Sequence, residues 1–299
     1  MARPAPAAQR ALQVVDLLVA HPGQPFTLSE IVRRTAMSLG SAHAVLATLE
    51  TAGYVRRHPT SRTYGLGPAL VAAGIVALDT STGIRHAVER APALARRLGT
   101  EIVVSAATSD EIIFLARAGA PSPYGPDLRE GERVPLVPPL GAVFLAWSDA
   151  PEIDAWLARD PGASPARDAR HRASLGLTRQ RGYTVAAASE LQRALGTAAS
   201  DLADVPGRHD LRSDLPELLA ALAAGPYAVD GLESDRTYDI GVVAAPVFDV
   251  DGKVVAALTA TGFAPGRSAA EIVHVAEAIR DSAAVVTRES RGRAPVATG

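Results

Sequence analysis

Apolar residues near the start of the chain recur at helical spacing: Leu12, Val15, Leu18 and Val19. They predict a helix from about Gln9 to His21, stopped by Pro22-Gly23. Thr27-Leu28-Ser29-Glu30 has the spacing of a capping box, in which each end residue satisfies a backbone N–H of the other. It opens a short helix through Thr35, with Leu28, Ile31 and Val32 as its apolar side. After the turn Thr35-Ala36-Met37-Ser38, a third helix runs to about Ala52 and Gly53 ends it. Ala42, Val45, Leu46 and Leu49 share its inner face. Helical phase puts Gly40, Ala44, Ala47 and Thr51 at the centre of the outer face, flanked by Ser41, His43 and Thr48. Residues 54–57 and 63–66 alternate as strands, joined by His58-Pro59-Thr60-Ser61-Arg62. Two short helices across a tight turn, followed by a basic hairpin, describe a winged helix-turn-helix.

The small polar run Asp79–Gly83 reads as a joint, followed by a helical pattern from Ile84 to Leu98 that Pro92 should kink. Beyond Gly99 the period shortens. Residues 102–106, 112–115, 181–185, 242–250 and 254–260 have strand character, and Asp251-Gly252 signals a hairpin between the last two. Six prolines in residues 118–139 exclude regular helix there. A helix is expected at about Leu140–Ser148, helical patterns at about 189–204 and 213–224, and a capped helix from Ser268 to about Val286. Strands and helices without strict alternation point to an α+β fold. The expected division is a winged helix-turn-helix domain at 1–78, a linker helix at 79–98, an α+β domain at 99–287 and a flexible tail at 288–299.

Charge changes this picture more than composition does. The net charge is −2, yet residues 1–75 hold seven basic and three acidic residues, +4, leaving 23 against 29, or −6, for the rest. A basic end on an acidic body suits one module that meets a polyanion. Arg56, Arg57 and Arg62 crowd the hairpin, where they suit phosphate or minor-groove contact. There is no cysteine, which excludes disulfides, a thiol nucleophile and thiolate zinc sites. Asp16 interrupts the apolar stretch Ala11–Ala20, unlike a signal-peptide core, and no run of 18 apolar residues is free of charge. A soluble, cytoplasmic protein with no membrane partner is expected.

Several constellations resemble chemical sites without completing one. Asp249-Val250-Asp251-Gly252-Lys253 begins like a calcium loop, but Ala260 stands where the bidentate acid belongs, so a hairpin turn is favoured. The seven histidines show no tight ligand spacing, Gly65-Leu66-Gly67 lacks a third glycine, and no serine sits in a G-x-S-x-G elbow. Asp168 with His171, and His209 with Asp210, lie in polar, loop-like sequence and are read as structural. No catalytic residue, metal or cofactor is assigned.

Residues 26–74 resemble the DNA-binding half of IclR-type regulators. Leu28, Glu30 and Ile31 match its "L-x-E-I-A" helix, and Thr48-Leu49-Glu50 with Gly53-Tyr54 match the end of its recognition helix and the start of its wing. Tyr64, Leu66-Gly67, Leu70 and Gly74 match its "Y-x-L-G-x-x-L-x-x-L-G" close. The family's recognition-helix arginine falls at Ala44, and its usual lysine at Leu39 or Gly40. Gly141–Ala146, Arg181-Gly182-Tyr183 and Ala244–Leu258 resemble motifs of the family's GAF-like effector domain. Val242 replaces a frequent cysteine, and over 50 residues separate Tyr183 from Tyr238, where the family has a short loop.

The resemblance implies an N-terminal winged helix-turn-helix, a linker helix and a GAF-like antiparallel sheet domain with flanking helices. Together with the residues themselves, it implies a transcription regulator whose operator binding a small-molecule effector modulates. The DNA contacts expected are Thr27, Ser38, Ser41, His43, Thr48, Arg56, Arg57, Arg62 and Tyr64. Those to the effector, a small organic acid or aromatic molecule, are Leu115, Leu140, Gly141, Ala142, Phe144, Asp239, Val242, Ala244 and Thr259. The partners implied are double-stranded operator DNA and a second copy of the chain, as a homodimer or a tetramer built from it. Two alternatives stay open: a DNA-binding regulator with a purely dimerising second domain, and a small-molecule enzyme with an N-terminal assembly module.

Overall fold

The computed structural model describes residues 5–21, 23–126, 129–188, 228–229 and 231–295. The chain divides into two compact units between Thr80 and Ser81. The helical patterns at 189–204 and 213–224, and the pair His209/Asp210, lie outside the described residues.

The first unit runs α1 (Pro6–Val19), β1 (Phe26–Thr27), α2 (Leu28–Thr35), α3 (Leu39–Thr51), β2 (Val55–Arg57), β3 (Thr63–Leu66) and α4 (Pro68–Thr80). α1 starts a turn earlier than its apolar spacing suggests because Pro6 suits a first helical position, where no N–H is needed. Val14, Leu18, Phe26, Ile31, Ala42, Leu46 and Val55 are buried together as its core. The strands pair antiparallel in the order β1-β3-β2. β1, two residues long, has no pattern to announce it. α4 is also unannounced: it is apolar nearly all round and buries none of its residues within the unit. Val71, Ile75, Val76 and Leu78 stand exposed on it.

The second unit begins with α5 (Thr82–Leu98), which Pro92 does not end. It continues through β4 (Glu101–Ala107), β5 (Glu111–Ala118), β6 (Arg133–Pro135), α6 (Ala142–Leu145), α7 (Ala150–Leu157), α8 (Pro165–Arg181) and β7 (Thr184–Ala187). After β8 (Thr237–Tyr238) come β9 (Ile240–Phe248), β10 (Val254–Thr261), β11 (Arg267–Ser268) and α9 (Ala269–Glu289). Six strands form an antiparallel sheet in the order β6-β5-β4-β10-β9-β7. Side chains alternate between its faces. Ile102, Val104, Val243, Ala245, Val247, Leu258 and Ala260 join the cluster formed with α5 and α9. Much of that interface is alanine: Ala87, Ala91, Ala245, Ala256, Ala260, Ala276 and Ala283 are all at most 1% exposed. Ala244, Ala257 and Ile112 face the other way, against Val143, Phe144, Trp156 and Leu175. The mixed helix-and-sheet class is as the sequence leads one to expect.

Asp249-Val250-Asp251-Gly252-Lys253 is the β9–β10 hairpin turn. The Asp249 carboxylate accepts the Asp251 and Lys253 amides at 2.9 Å each, and Gly252 takes φ +78. The Ser268/Glu271 capping box opens α9 as expected.

Three expectations need correction. The strand expected at 181–185 begins only at Thr184, because α8 runs to Arg181 and Gly182, at φ +77, caps it by donating to the Thr178 carbonyl. The helix expected at Leu140–Ser148 is only Ala142–Leu145. Asp168 and His171 lie on α8, not in a loop; that helix buries only Leu175 and Thr178, too few to print an apolar period.

His171 belongs to a buried ionic cluster. Asp160 follows α7 with its side chain fully buried, Arg167 Nη2 stands 3.1 Å from it, and His171 Nε2 3.6 Å. The Gly162 amide donates to Asp160 at 2.8 Å, and the Trp156 ring meets His171 edge-on at 5.7 Å. Burial pushes the His171 pKa down, opposed by Asp160. Asp160→Ala strands Arg167 without its counter-ion and is expected to destabilise this unit by about 3–5 kcal/mol, read from its thermal or denaturant unfolding. An unchanged midpoint would show that Asp160 does not hold α8 in place.

Candidate nucleic-acid interface and effector face

The interface is built by two helix caps and a hairpin. Thr27 Oγ1 accepts the Glu30 amide at 3.3 Å, while Glu30 accepts the Thr27 amide and hydroxyl at 2.7 Å each. Those bonds hold Glu30 below the usual carboxylate range. Thr27 is thus occupied in starting α2. Ala36, in the left-handed region at φ 54, ends that helix, and Ser38 starts α3 by accepting the Ser41 amide at 3.3 Å. The cap fixes which side of α3 turns outward. Ala42, Leu46 and Leu49 are buried, while Leu39, Gly40, His43, Ala44, Ala47, Thr48, Glu50 and Thr51 are exposed. Ser41 is half-buried, and the Thr48 hydroxyl donates to the Ala44 carbonyl at 2.9 Å.

β2 and β3 carry the wing, with Arg56 opposite Gly65 and Arg57 opposite Tyr64. His58 donates to the Thr63 carbonyl at 2.7 Å, and Arg62, at φ 54, donates to the His58 carbonyl at 3.0 Å. This closes a tight tip at which Arg56, Arg57, His58 and Arg62 are all exposed. Tyr64 points the other way. It is 5% exposed and belongs to the core, with the Arg57 guanidinium 5.6 Å from its ring centre. The expectation of a direct DNA contact from Tyr64 is therefore corrected: strand alternation turns its ring inward, where it supports the wing. Leu39 drew no attention in the sequence beyond its alignment with a family lysine, yet it is 60% exposed at the first position of α3.

In the second unit, the residues expected around an effector come together in part. Gly141, at φ +87, starts α6; a side chain there would meet Leu136 at 2.2 Å. Leu140, Ala142 and Phe144 pack in one cluster with Ala244 and Ala257. Thr259 pairs across to Ala244 on β9 and Val103 on β4, and Val242 pairs with Thr261, so both share the face of Ala244 and Ala257. Ser105 pairs with Ala257, and Glu101 with Thr261, on that same face, and the sequence reading passed over both. Glu101 is 3% exposed and takes the Arg117 guanidinium, Nε at 2.8 Å. Leu115 falls at the register shift between β4 and β5. Asp239 stands exposed at the start of β9, its carboxylate accepting the Gly266 amide at 2.7 Å. This candidate face is thus apolar with scattered hydroxyls and one partly buried ion pair.

Residues 7–59 match the model of the IclR helix-turn-helix domain. A curated relative, the HTH-type transcriptional regulator BhcR of Paracoccus denitrificans, is 26% identical over 282 residues, spanning 93% of this chain and 84% of that protein. Among solved structures, an IclR transcriptional regulator from Alicyclobacillus acidocaldarius superposes with a TM-score of 0.67 at 22% identity, covering 96% of this chain and all of that one. An IclR homolog from Microbacterium hydrocarbonoxydans, solved in complex with 4-hydroxybenzoate, has a TM-score of 0.60 at 18% identity, over 95% of this chain and 99% of that one. Residues 7–59 thus carry an IclR helix-turn-helix domain, and the chain is similar along both units to IclR-type transcriptional regulators, whose fold it shares.

Proposed function

We propose that this regulator binds a two-fold operator in double-stranded DNA through α3 and the wing, as a homodimer, and that a small organic acid or aromatic molecule on the α6/β9–β10 face alters that binding. The observation that carries the DNA reading is the wing tip, where three arginines and a histidine, all exposed, crowd within seven residues. Phosphate contacts from such a tip position the protein, and α3 meets base edges. Support for pairing comes from α4, whose exposed Val71, Ile75, Val76 and Leu78 find no partner within their own unit. A two-fold dimer places two copies of α3 on two half-sites.

The effector reading rests on the mixed apolar and hydroxyl character of the sheet face, and on the 4-hydroxybenzoate bound by the Microbacterium homolog. The effector shifts populations between arrangements with different DNA affinity, and no chemical step is assigned to the chain. It acts in the cytoplasm, where bacterial operators lie.

Selection from random duplexes at two salt concentrations should enrich a palindromic site, with binding that weakens steeply as salt rises. Salt-sensitive binding without enrichment would leave only a generic basic surface. For the effector, a small aromatic carboxylate at about a hundredfold its Kd should stabilise the second unit by roughly 2.7 kcal/mol. A panel of such acids that moves neither the melting point nor the DNA affinity would favour the purely dimerising second domain.

A further inference from the structure

The exposed face of α3 is poor in side chains that read bases by hydrogen bonds, with His43, Thr51 and the half-buried Ser41 its polar groups besides Thr48 and Glu50. Its sequence, LGSAHAVLATLET, contains no Arg, Lys, Asn or Gln, the side chains that make bidentate pairs with guanine or adenine. The Thr48 hydroxyl is engaged by its own helix, and Glu50 sits in the last turn, away from the end that reaches the base edges in such motifs. At the leading end, Leu39 is 60% exposed, and Gly40 and Ala44 lie beside it on the outer side.

Gly40 sharpens the point. It has ordinary helical geometry, and a β-carbon built on it meets nothing within 4 Å. Glycine inside a helix is unfavourable relative to alanine, and no contact within the unit calls for it. The room it leaves lies outside the protein, on the exposed side of α3. An isolated exposed leucine needs no explanation. A leucine at the leading end of a recognition helix, beside a glycine that opens the approach, faces the one apolar feature of the major groove, the thymine C5-methyl.

We infer that α3 reads thymine methyl groups in the major groove through Leu39, with Gly40 permitting the close approach. The inference rests on the DNA-binding reading above and adds the base feature recognised. The operator half-site then contains a thymine at the position under Leu39, and its identity is read by shape and apolar contact, while the arginines hold the phosphates.

The test uses the full chain and its selected operator, with each thymine replaced in turn by deoxyuridine. That change removes only the major-groove methyl and leaves the minor groove and phosphates unaltered. At one or more positions per half-site, binding by the unaltered protein should weaken roughly fourfold, the worth of one buried methyl. Leu39→Ala should bind the thymine operator weaker by a similar factor and lose nothing further on the deoxyuridine operator. Because Leu39 is exposed, its variant should melt as the parent does. Gly40→Ala should melt higher yet bind about tenfold weaker, since its methyl enters the space kept for DNA. Deoxyuridine operators that all bind as tightly as thymine ones would overturn the inference, as would a Leu39→Ala protein that keeps the full deoxyuridine loss. In both cases the selected operator would still uphold DNA binding itself. Failure to select any DNA would overturn the underlying reading as well.

Discussion

Replacing Arg56, Arg57 and Arg62 together by alanine is expected to weaken DNA binding on the order of a hundredfold at physiological salt. Each phosphate neutralised contributes about 0.9 to the slope of log affinity against log salt. Three lost contacts should flatten that slope by about 2.7. All three side chains are exposed, and among the described residues their principal intramolecular contact is Arg57 over the Tyr64 ring, so the fold should survive. The decisive reading is the slope. An affinity loss with an unchanged slope would mean that the wing shapes α3 without touching phosphate. An unchanged affinity would remove the wing from the interface.

The second large effect comes from one methyl group. Gly67 follows β3, where the chain leaves the wing and passes the end of α3. Its amide donates to the Tyr54 carbonyl at 2.8 Å, and Ala69 donates to the Gly53 carbonyl at 3.1 Å. A β-carbon on Gly67 would stand 2.2 Å from the Gly53 oxygen and 2.8 Å from the Tyr54 carbonyl carbon. Both are backbone atoms, which no rotamer change can move aside. Gly67→Ala should therefore destabilise the first unit by about 3 kcal/mol or more. A unit of this size has only on the order of 5–10 kcal/mol in all, so its melting point should fall by more than about 12 °C. DNA binding should fail with it, while the second unit keeps its own transition. Gly40→Ala, a glycine with open space around it in the same unit, is the control that should melt higher. A Gly67→Ala protein with the parent's melting point would show that the wing and α3 are not locked at this crossing.

Much of the reading unit was legible because its signals are local. The Thr27/Glu30 box and the i, i+3, i+4 spacing of Ala42, Val45, Leu46 and Leu49 each specify geometry within a few residues. The hairpin at Asp251-Gly252 is legible for the same reason. What escaped lacks contrast. α4 has no polar face to set off an apolar one, and α8 has almost no apolar face to set off its polar one. Tyr64 stands in a basic hairpin that suits DNA contact, yet its place in β3 turns its ring into the core. The effector face was traced through resemblance more than through pattern, because Ser105, Val242 and Thr259 meet only when β4, β9 and β10 pair in register. Glu101 and Arg117, sixteen residues apart, meet because β4 pairs with β5, and no local spacing announces that.

The alanines between the six-stranded sheet and the helices α5 and α9 give the second unit an unusual profile of mutational sensitivity. At the alanines themselves the contact is a single methyl, so there is little left to delete there, while Ile102, Val104, Val247 and Leu258 in the same cluster carry the volume that truncation would lose. Enlargement is costly: Ala245, Ala256 and Ala276 are fully buried, and Ala→Val there forces added methyl groups into a closed space at about 1–3 kcal/mol each. Temperature-sensitive alleles of this regulator should therefore include gains of volume along β9, β10 and α9. A library of random variants sorted by heat would show alanine-to-larger changes at these positions in the losing pool.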